Sequence, residues 1–399
     1  MARFLFTSAP LMGHLDWGGY LRTAAALVRM GHDVTWVSAA AVAPPVTAAG
    51  VPITAVDTPG WRVPPPRRAD LPPAERARQR QARAIDGWLD VAEVARGLHA
   101  MQRVVASARP DVIVSELFVT AAPLLAEKHG VPLVIAGWPA LAMTAAGSTT
   151  DAQQVAQVAQ ARLQQLWDHA QVSGRYWPNG SFWPVSPHGH VVYFSRDWYG
   201  ETAALLPYNR FVGGQAAPPA GSAPAWMADL PADRPLVLIT LGSLFTHDDS
   251  FFARAVQAVL SGAGCPIVAA GSPELAVRLR AQLPTGAIIQ AWVAYDWLLP
   301  RLSLVIHHGG VGTTHAAIVH GVPQLIVPRA GDQANQARRA AAAGIGLSLA
   351  PAHATADRLA LAVNQLLDDP QWRARAGHWR DEFARLGGVD QAAHWLSQL

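Results

Sequence analysis

Short apolar runs rich in β-branched and aromatic residues alternate along this chain with longer helical segments, in two separate series. These runs are apolar at consecutive positions, which is typical of strands buried on both faces. The first series is Arg3–Ser8, Asp33–Ser38, Asp111–Ser115 and Pro132–Ala136, and the second is Leu236–Thr240, Pro266–Ala270, Ala287–Gln290, Leu304–His307 and Gln324–Val327. Strands that alternate with helices predict parallel sheets covered by helices. We therefore expect an α/β protein with two βα domains.

The segment between the two series, residues 213–235, is rich in Gly, Pro and Ala, as is typical of a linker. It predicts an N-terminal domain over 1–212 and a second domain from residue 236. Two segments of the N-terminal half interrupt the alternation, and long insertions in α/β domains usually lie near the ligand. Their tryptophans predict an apolar surface that binds a small molecule: Trp61, Trp138, Trp177 and Trp183.

Composition excludes several classes of protein. Hydrophobic residues make up 51% of the 399 residues and charged residues 15%, so the chain is neither disordered nor fibrous. A single cysteine rules out a disulfide scaffold. The net charge is only +3, and we expect no nucleic-acid partner. The N-terminus lacks the pattern of a signal peptide and no apolar run is long enough for a membrane span, so we predict a cytoplasmic protein without integral membrane association.

The sequence Ile306–His315, IHHGGVGTTH, directly follows a strand and begins a helix. Glycines let the backbone approach a ligand closely, and the start of a helix offers N–H groups and a positive dipole. No Lys follows the glycines, so this is not a Walker A loop. The turn predicts a phosphate or diphosphate site that includes His308, Gly310, Gly312, Thr313 and Thr314.

Three further loops follow predicted strands of the second series. Asp332 and Gln333 combine an acceptor-only carboxylate with an amide, which suits the binding of vicinal sugar hydroxyls. The indole of Trp292 is suited to stacking on a nucleobase. Gly242 and Ser243 begin the loop after Leu236–Thr240 and form a second candidate place for a diphosphate.

The segment 292–339 resembles the nucleotide-sugar signature of family 1 glycosyltransferases, the UDP-glycosyltransferase superfamily, and it is most similar in character to bacterial members that act on natural products. The resemblance implies the GT-B fold, in which two Rossmann-like domains face each other across a cleft. It assigns the base to Trp292 and to the backbone of Val293, the diphosphate to the glycine-rich turn, and the hexose to Asp332 and Gln333. It also implies an acceptor-binding domain over 1–212, a nucleotide-sugar domain over 236–378, and helices over 379–399 that cross back to the N-terminal domain, so that Trp379 and Trp395 pack there.

The same resemblance places a catalytic base in the loop after the first strand, where Gly13 and His14 stand. Transfer to a hydroxyl needs a base, and neutral imidazole suits that task near pH 7. The family usually orients this histidine with an Asp, whereas this chain has Glu116. Glu116 is therefore either the partner of His14 or an acid that only caps the following helix.

Two more features bear on the reaction that the resemblance implies. Many UDP-specific members carry a Glu that binds the ribose at the position of Ala316, so the choice between uridine and thymidine diphosphate stays open. The chain lacks an Asp-x-Asp motif, and we expect neither a metal nor another cofactor. The predicted reaction is inverting transfer of a hexose, with UDP-glucose as the expected donor, to a hydroxyl of an apolar small molecule, which gives a β-glycoside.

Alternatives of other classes stay open at this point. One is a UDP-sugar epimerase or a phosphorylase of related architecture, although the usual phosphorylase needs a cofactor lysine and Lys128, the only lysine, lies on a predicted helix of the N-terminal half. Another is a non-catalytic protein that binds a nucleotide sugar and activates a transferase. The chain is expected to act as a monomer or a homodimer.

Overall fold

The computed structural model describes residues 1–16, 18–64, 72, 75, 83, 85–137, 140, 150–200, 204–219, 221–242, 248–329 and 332–399. The chain divides into two compact units. Unit 1 comprises Met1–Tyr193, Glu201–Val212 and Val389–Leu399, and unit 2 comprises Phe194–Gly200 and Gly213–Gly388.

Unit 1 contains a seven-stranded parallel sheet with the strand order β3-β2-β1-β4-β5-β6-β7. Its inner strands are almost fully buried, which explains their continuous apolar sequences. The strands are β1 (Arg3–Thr7), β2 (Asp33–Ala39), β3 (Ile53–Val56), β4 (Val112–Ser115), β5 (Leu133–Ala136), β6 (His190–Val192) and β7 (Asn209–Phe211).

Helices and their apolar side chains cover this sheet with two core clusters. Asp90 caps the helix Val91–Ala108, because its side chain accepts a hydrogen bond from the N–H of Glu93. The helices are α1 (Tyr20–Arg29), α2 (Ala43–Ala48), α3 (Val91–Ala108), α4 (Ala121–His129), α5 (Thr150–Ala170) and, at the end of the chain, α13 (Gly388–Leu396).

Unit 2 contains a six-stranded parallel sheet with the strand order β10-β9-β8-β11-β12-β13. The strands are β8 (Leu236–Thr240), β9 (Cys265–Ala269), β10 (Ile288–Gln290), β11 (Leu304–His307), β12 (Gln324–Ile326) and β13 (Gly346–Ser348). The helices of this unit are α6 (Asp249–Leu260), α7 (Pro273–Gln282), α8 (Tyr295–Leu298), α9 (Val311–Val319), α10 (Gln333–Ala342), α11 (Ala356–Asp368) and α12 (Pro370–Arg385).

Each sheet has a point where the strand order reverses, between β1 and β4 in unit 1 and between β8 and β11 in unit 2. In open α/β sheets, ligands bind outside the carboxyl ends of the strands at this point, because the loops on either side diverge and leave a crevice. The prediction of an α/β protein with parallel sheets is confirmed. The strand order directs attention to the loops after β1, β4, β8 and β11.

Several elements differ from the sequence analysis. The short strands β3, β6, β7 and β13 were not predicted, because three or four residues give too little periodicity to recognise. The 213–235 segment belongs to unit 2, and Met227 within it packs in a core cluster there. The segments 194–200 and 379–388 also belong to unit 2. There Trp379 meets Trp198, a residue within the predicted range 1–212, with ring centroids 5.6 Å apart. The prediction for Trp395 is confirmed, because it lies in unit 1, where the ring packs at Gly189.

Candidate active site

Two loops at the reversal point of the unit 1 sheet bring His14 and Glu116 together. His14 ends a 3₁₀ helix after β1, and Glu116 directly follows β4. Nδ1 of His14 lies 3.1 Å from Oε2 of Glu116, whose side chain is only 1% exposed. The other carboxylate oxygen accepts a hydrogen bond from the main-chain N–H of Ala9. A carboxylate can only accept, so Nδ1 of the neutral imidazole donates and Nε2 carries the lone pair that takes up a proton.

The geometry favours Glu116 as the partner of His14 over Glu116 as a cap of the following helix. Its carboxylate contacts His14 and Ala9, while helix α4 begins after Thr120, several residues further along the chain. Gly13 precedes the histidine in the 3₁₀ helix and has open space where a Cβ would stand. Unit 1 therefore does not require a glycine there for steric reasons, and the predicted donor role of Gly13 stays a prediction.

An aromatic cluster lies beside His14. The ring of Phe118 is 5.3 Å from the imidazole, and Phe118 meets the edges of Trp88 and Trp183. Those two indoles stack at 4.9 Å with an angle of 14° between their planes. Trp61 packs against the same cluster and is half-buried. The cluster gives the candidate base an apolar, flat wall.

The predicted acceptor-binding tryptophans thus separate into groups. Trp61 and Trp183 lie in the aromatic cluster, and Trp138 lies outside the described residues. Trp177 is 4% exposed in a core of unit 1, where it packs against Trp167, so the prediction that it lines a binding surface is wrong. An aromatic residue in an insertion satisfies core packing and ligand binding equally well, and only its burial separates the two. Phe118 and Trp88 were missed, although Phe118 stands two residues after Glu116.

In unit 2, the glycine-rich turn is held by His307, the last residue of β11. Its Nδ1 accepts the N–H of Gly309 at 3.1 Å, so Nε2 carries the proton and donates to Oε1 of Gln324 at 2.9 Å. Gly309 has a φ of 86°, which favours glycine. Burial lowers the pKa of His307 to about 3, with the neighbouring His308 as a second cause, so His307 is neutral at pH 7.

His308 packs against Gly242 and Gly310, and neither position has room for a side chain. A Cβ at Gly242 would lie 2.9 Å from Cε1 of His308, and a Cβ at Gly310 would lie 2.5 Å from its Nε2. Burial lowers the pKa of His308 to about 4, and the positive charge of Arg329 acts in the same direction. At pH 7 this imidazole offers a hydrogen bond, while the positive field at the turn comes from the start of helix α9.

The residues at the start of α9 differ in exposure. Gly312 is exposed, with open space at its Cβ position. The hydroxyl of Thr313 lies 3.3 Å from the hydroxyl of Tyr295, and Thr314 is 0% exposed. The Thr314 hydroxyl is buried without a hydrogen-bond partner among the described residues, so its predicted contact with a ligand stays a prediction. The main-chain N–H groups of the first turn remain as the candidates for binding phosphate.

The loop after β12 leads to Asp332 at the start of helix α10. Oδ2 of Asp332 is buried and has no hydrogen-bond partner among the described residues, and burial raises the pKa of this carboxyl. Gln333 is mostly buried, and its Oε1 accepts the main-chain N–H of Arg329 at 2.8 Å. Asp332 is thus the member of the pair with an unsatisfied acceptor for a sugar hydroxyl, while Gln333 also shapes the loop.

Arg329 connects the loops after β8 and β12. Its guanidinium pairs with Asp248 at 2.6 Å and lies over the ring of Phe251, 4.7 Å from the ring centroid. Sequence reasoning missed this link, because the two partners are 81 residues apart. Ser243 lies outside the described residues.

The candidate base-stacking residue of unit 2 is unusually accessible. Trp292 follows β10 with 59% of its surface exposed, which leaves the indole face open to a planar ring. Val293 is half-buried and packs on a core cluster with its side chain, so its backbone is the part that remains for the predicted pairing.

The described residues contain neither a candidate membrane span nor a candidate metal site. No helix there combines the length and apolar character that crossing a membrane requires. No group of three or more His, Cys, Asp or Glu side chains is arranged there to hold a metal ion.

Comparison with known proteins gives consistent results. Residues 251–387 match the family model of the erythromycin biosynthesis protein CIII-like C-terminal domain. The L-demethylnoviosyl transferase of Streptomyces niveus is 32% identical over 397 residues, which cover 96% of this chain and 94% of that protein. The elloramycin glycosyltransferase ElmGT of Streptomyces olivaceus is 30% identical over 283 residues, which cover 70% of this chain and 65% of that protein.

Solved structures show the same fold. The glycotransferase of kitacinnamycin superimposes with a TM-score of 0.79 at 21% identity and covers 100% of this chain and 98% of its own. The glycosyltransferase VinC in complex with DTDP superimposes with a TM-score of 0.71 at 22% identity and covers 99% and 98%. These likenesses show the fold, which is the GT-B fold that the sequence analysis predicted. The chain belongs to the bacterial natural-product glycosyltransferases, and it is a hexosyltransferase that moves a sugar in natural-product glycosylation.

Proposed function

We propose that this enzyme transfers a hexose from a nucleoside-diphosphate sugar to a hydroxyl of an apolar small molecule, without a metal and with inversion at the anomeric carbon. The observation that carries the proposal is the pair of His14 and Glu116, 3.1 Å apart at the reversal point of the unit 1 sheet. Such a pair gives an imidazole a fixed tautomer and a counter-charge for the proton that it receives.

In the proposed step, the acceptor oxygen attacks the anomeric carbon while its proton passes to Nε2 of His14. The bond between the anomeric carbon and the diphosphate oxygen breaks, and the nucleoside diphosphate leaves with the electron pair. An α-linked donor then gives a β-glycoside. Glu116 stabilises the imidazolium, and the start of helix α9 together with His308 meets the charge that develops on the diphosphate.

The acceptor class follows from the surroundings of His14. Stacked Trp88 and Trp183, with Phe118 at their edges, form a flat apolar wall beside the imidazole. Flat apolar surfaces suit ring systems of matching shape, whose burial supplies the binding free energy. We propose a hydroxylated ring compound as acceptor.

Two nucleotide sugars are candidates for the sugar donor. The sequence analysis predicts UDP-glucose. Ala316 in place of the ribose-binding Glu favours a donor that does not depend on that contact, and VinC was solved with thymidine diphosphate. The relative from Streptomyces niveus is named for a noviosyl group. A thymidine-diphosphate deoxyhexose is therefore the second candidate.

The test is a transfer assay with a hydroxylated aromatic acceptor and a panel of uridine and thymidine diphosphate sugars, each with and without EDTA. We expect product with at least one donor, a β-linkage by NMR coupling constants and no loss of rate with EDTA. Loss of transfer in EDTA that Mg²⁺ restores would contradict the metal-free step, and an α-linkage would contradict inversion. Donor binding without transfer to any acceptor would favour the nucleotide-sugar-binding alternative.

A further inference from the structure

Unit 2 contains a cavity of about 410 Å³ that no functional residue discussed above lines. It lies against the face of helix α10, beyond the turn that carries Asp332 and Gln333. One wall comes from the segment 194–200, and another comes from helix α12. The lining residues are Asp197, Trp198, Tyr199, Gly200, Asn335, Arg338, Arg339, Ala342, Ala343 and Trp379.

The cavity is lined by a guanidinium that forms no direct ion pair with a described residue. Arg339 lies over the ring of Tyr199, 4.5 Å from the centroid, and it makes no hydrogen bond or ion pair with any residue that the structure describes. Burial lowers the pKa of Arg339 and the positive charge of Arg338 adds to this, while Tyr199 and the carboxylate of Asp332 act in the opposite direction. A half-buried cation without a direct ion pair is costly, and a bound anion would reduce that cost.

The second cation is held at the same cavity by a neighbour on the helix. Arg338 donates a hydrogen bond to the side-chain oxygen of Asn335 one turn earlier. Adjacent guanidinium groups offer several N–H donors in planar forks that match carboxylate or phosphate oxygens. Asp197 is the acidic side chain at the cavity, and it is exposed.

The aromatic walls are fixed by hydrogen bonds at their polar ends. The indole N–H of Trp198 donates to Oε1 of Gln336 at 3.1 Å, and that of Trp379 donates to the carbonyl of Ala343 at 3.2 Å. Since both N–H groups are satisfied, the remaining ring surface is an apolar wall of set orientation.

We propose that this cavity is a second ligand site, which binds a small molecule that combines an oxyanion, carboxylate or phosphate, with a flat apolar ring. Arg339 and Arg338 bind the oxyanion, and the ring packs against the indoles of Trp198 and Trp379. Arg339 and the carboxylate of Asp332 attract each other, but the second ligand site does not depend on the proposed transfer reaction.

The experiment uses phenyl phosphate as the probe and isothermal titration calorimetry on the full chain, with excess uridine diphosphate present. Benzyl alcohol, which has the ring without the anion, serves as the comparison compound. We expect phenyl phosphate to bind and benzyl alcohol not to bind detectably. Arg339→Gln should lower the affinity for phenyl phosphate by about 10- to 100-fold, which corresponds to the free energy of a hydrogen bond to a charged group. The control Arg358→Gln removes an equal charge at an exposed position and should leave the affinity unchanged.

A second variant covers the case that Arg339→Gln does not fold. Asp197→Asn removes a like charge at an exposed position and should strengthen binding of phenyl phosphate about two- to fivefold. Equal affinities in wild type, Arg339→Gln and Asp197→Asn would overturn the proposal. Absence of binding to wild type, or full displacement of the probe by uridine diphosphate, would overturn it as well.

Discussion

Single buried atoms decide most of the chemistry of this enzyme. Glu116 is almost fully buried, yet each of its carboxylate oxygens accepts a hydrogen bond, one from the main-chain N–H of Ala9 and one from the imidazole of His14. Asp332 is the opposite case, because its Oδ2 is buried without a partner among the described residues. A satisfied carboxylate positions a neighbour, whereas an unsatisfied one is prepared for a ligand that brings a donor.

His14→Ala should reduce transfer to an alcohol acceptor by about 10²–10⁴-fold, the usual contribution of a positioned base. Affinity for the nucleoside diphosphate should hardly change, because the donor loops belong to unit 2. Steady-state kcat/KM and equilibrium binding of the nucleotide measure the two effects, and His129→Ala, at an exposed position of the same unit, is the control. A thiol or acidic phenol acceptor should recover part of the loss. Near wild-type turnover on an aliphatic alcohol would show that the base lies elsewhere.

Asp332→Asn should lower the affinity for the nucleotide sugar by about 10- to 100-fold, since a charge-assisted hydrogen bond contributes ~1.5–3 kcal/mol. The nucleoside diphosphate alone should keep its affinity, because it lacks the hexose. Titration of both ligands against the variant and against the exposed control Asp357→Asn measures the difference. Equal losses for both ligands would assign Asp332 a structural role at the start of helix α10.

Among the elements, strand β11 and helix α9 show how a buried histidine shapes a loop. His307 accepts from Gly309 and donates to Gln324, and these two bonds fix the turn between the strand and the helix. His308 then lies against Gly242 and Gly310, where a Cβ would not fit. The glycines are required by the packing of an imidazole as much as by a ligand.

Unit 2 should lose stability as the pH falls from 6.5 towards 4. Burial lowers the pKa values of His307 and His308 from 6.5 to about 3 and about 4, so the unfolded chain binds more protons than the folded one in this range. Stability therefore rises with pH there and is fully present above the unfolded pKa. Asp332, whose pKa burial raises, acts with the opposite sign near pH 4 and above. Urea unfolding at pH 7.5 and pH 5 measures the effect.

His307→Asn provides the matched variant for this prediction. The Asn oxygen can still accept the N–H of Gly309, but the donor to Gln324 is lost, which should cost ~1–3 kcal/mol at pH 7.5. The difference in unfolding free energy between pH 7.5 and pH 5 should shrink, because one of the two histidines is gone. An unchanged difference would mean that other groups cause the acid sensitivity.

For the molecule as a whole, the end of the chain completes the first unit. Residues 389–399 belong to unit 1, and Ala392, Ala393 and Leu396 are buried in the core cluster that covers one face of its sheet. The first core of the chain is thus complete only when its last residues are present. Truncation from the C-terminus therefore acts on the unit that contains His14.

Leu396→Ala should destabilise unit 1 by ~2–5 kcal/mol, the usual cost of removing a fully buried leucine side chain. Leu399→Ala, at a position that is 52% exposed, is the control and should have little effect. Hydrogen exchange of the strands β1, β2 and β4 reports on this unit. Equal protection in both variants would show that the last helix does not contribute to its core.

The sequence was most informative for the central strands and least informative for several strands of only three or four residues. The inner strands such as β1 and β11 have continuous apolar runs, so they were predicted within a residue or two. Strands β6 and β7 contain three residues each and follow insertions, and their extended form depends on pairing with neighbours. Trp177 was misassigned for a similar reason, since a tryptophan has the same local sequence signal in a core as at a surface.

By itself, the sequence determined the two βα series, the glycine-rich turn after β11 and the positions of His14 and Asp332 in loops that follow strands, because periodicity and glycine content are local properties. Tertiary structure alone decided which distant groups meet. His14 and Glu116 are 102 residues apart, and Arg329 and Asp248 are 81 residues apart. Each pair forms because the parallel sheet brings the carboxyl ends of its strands to one edge, in a strand order that no local pattern records. Burial, which turns His308 neutral and leaves Asp332 unsatisfied, follows from the same long-range packing.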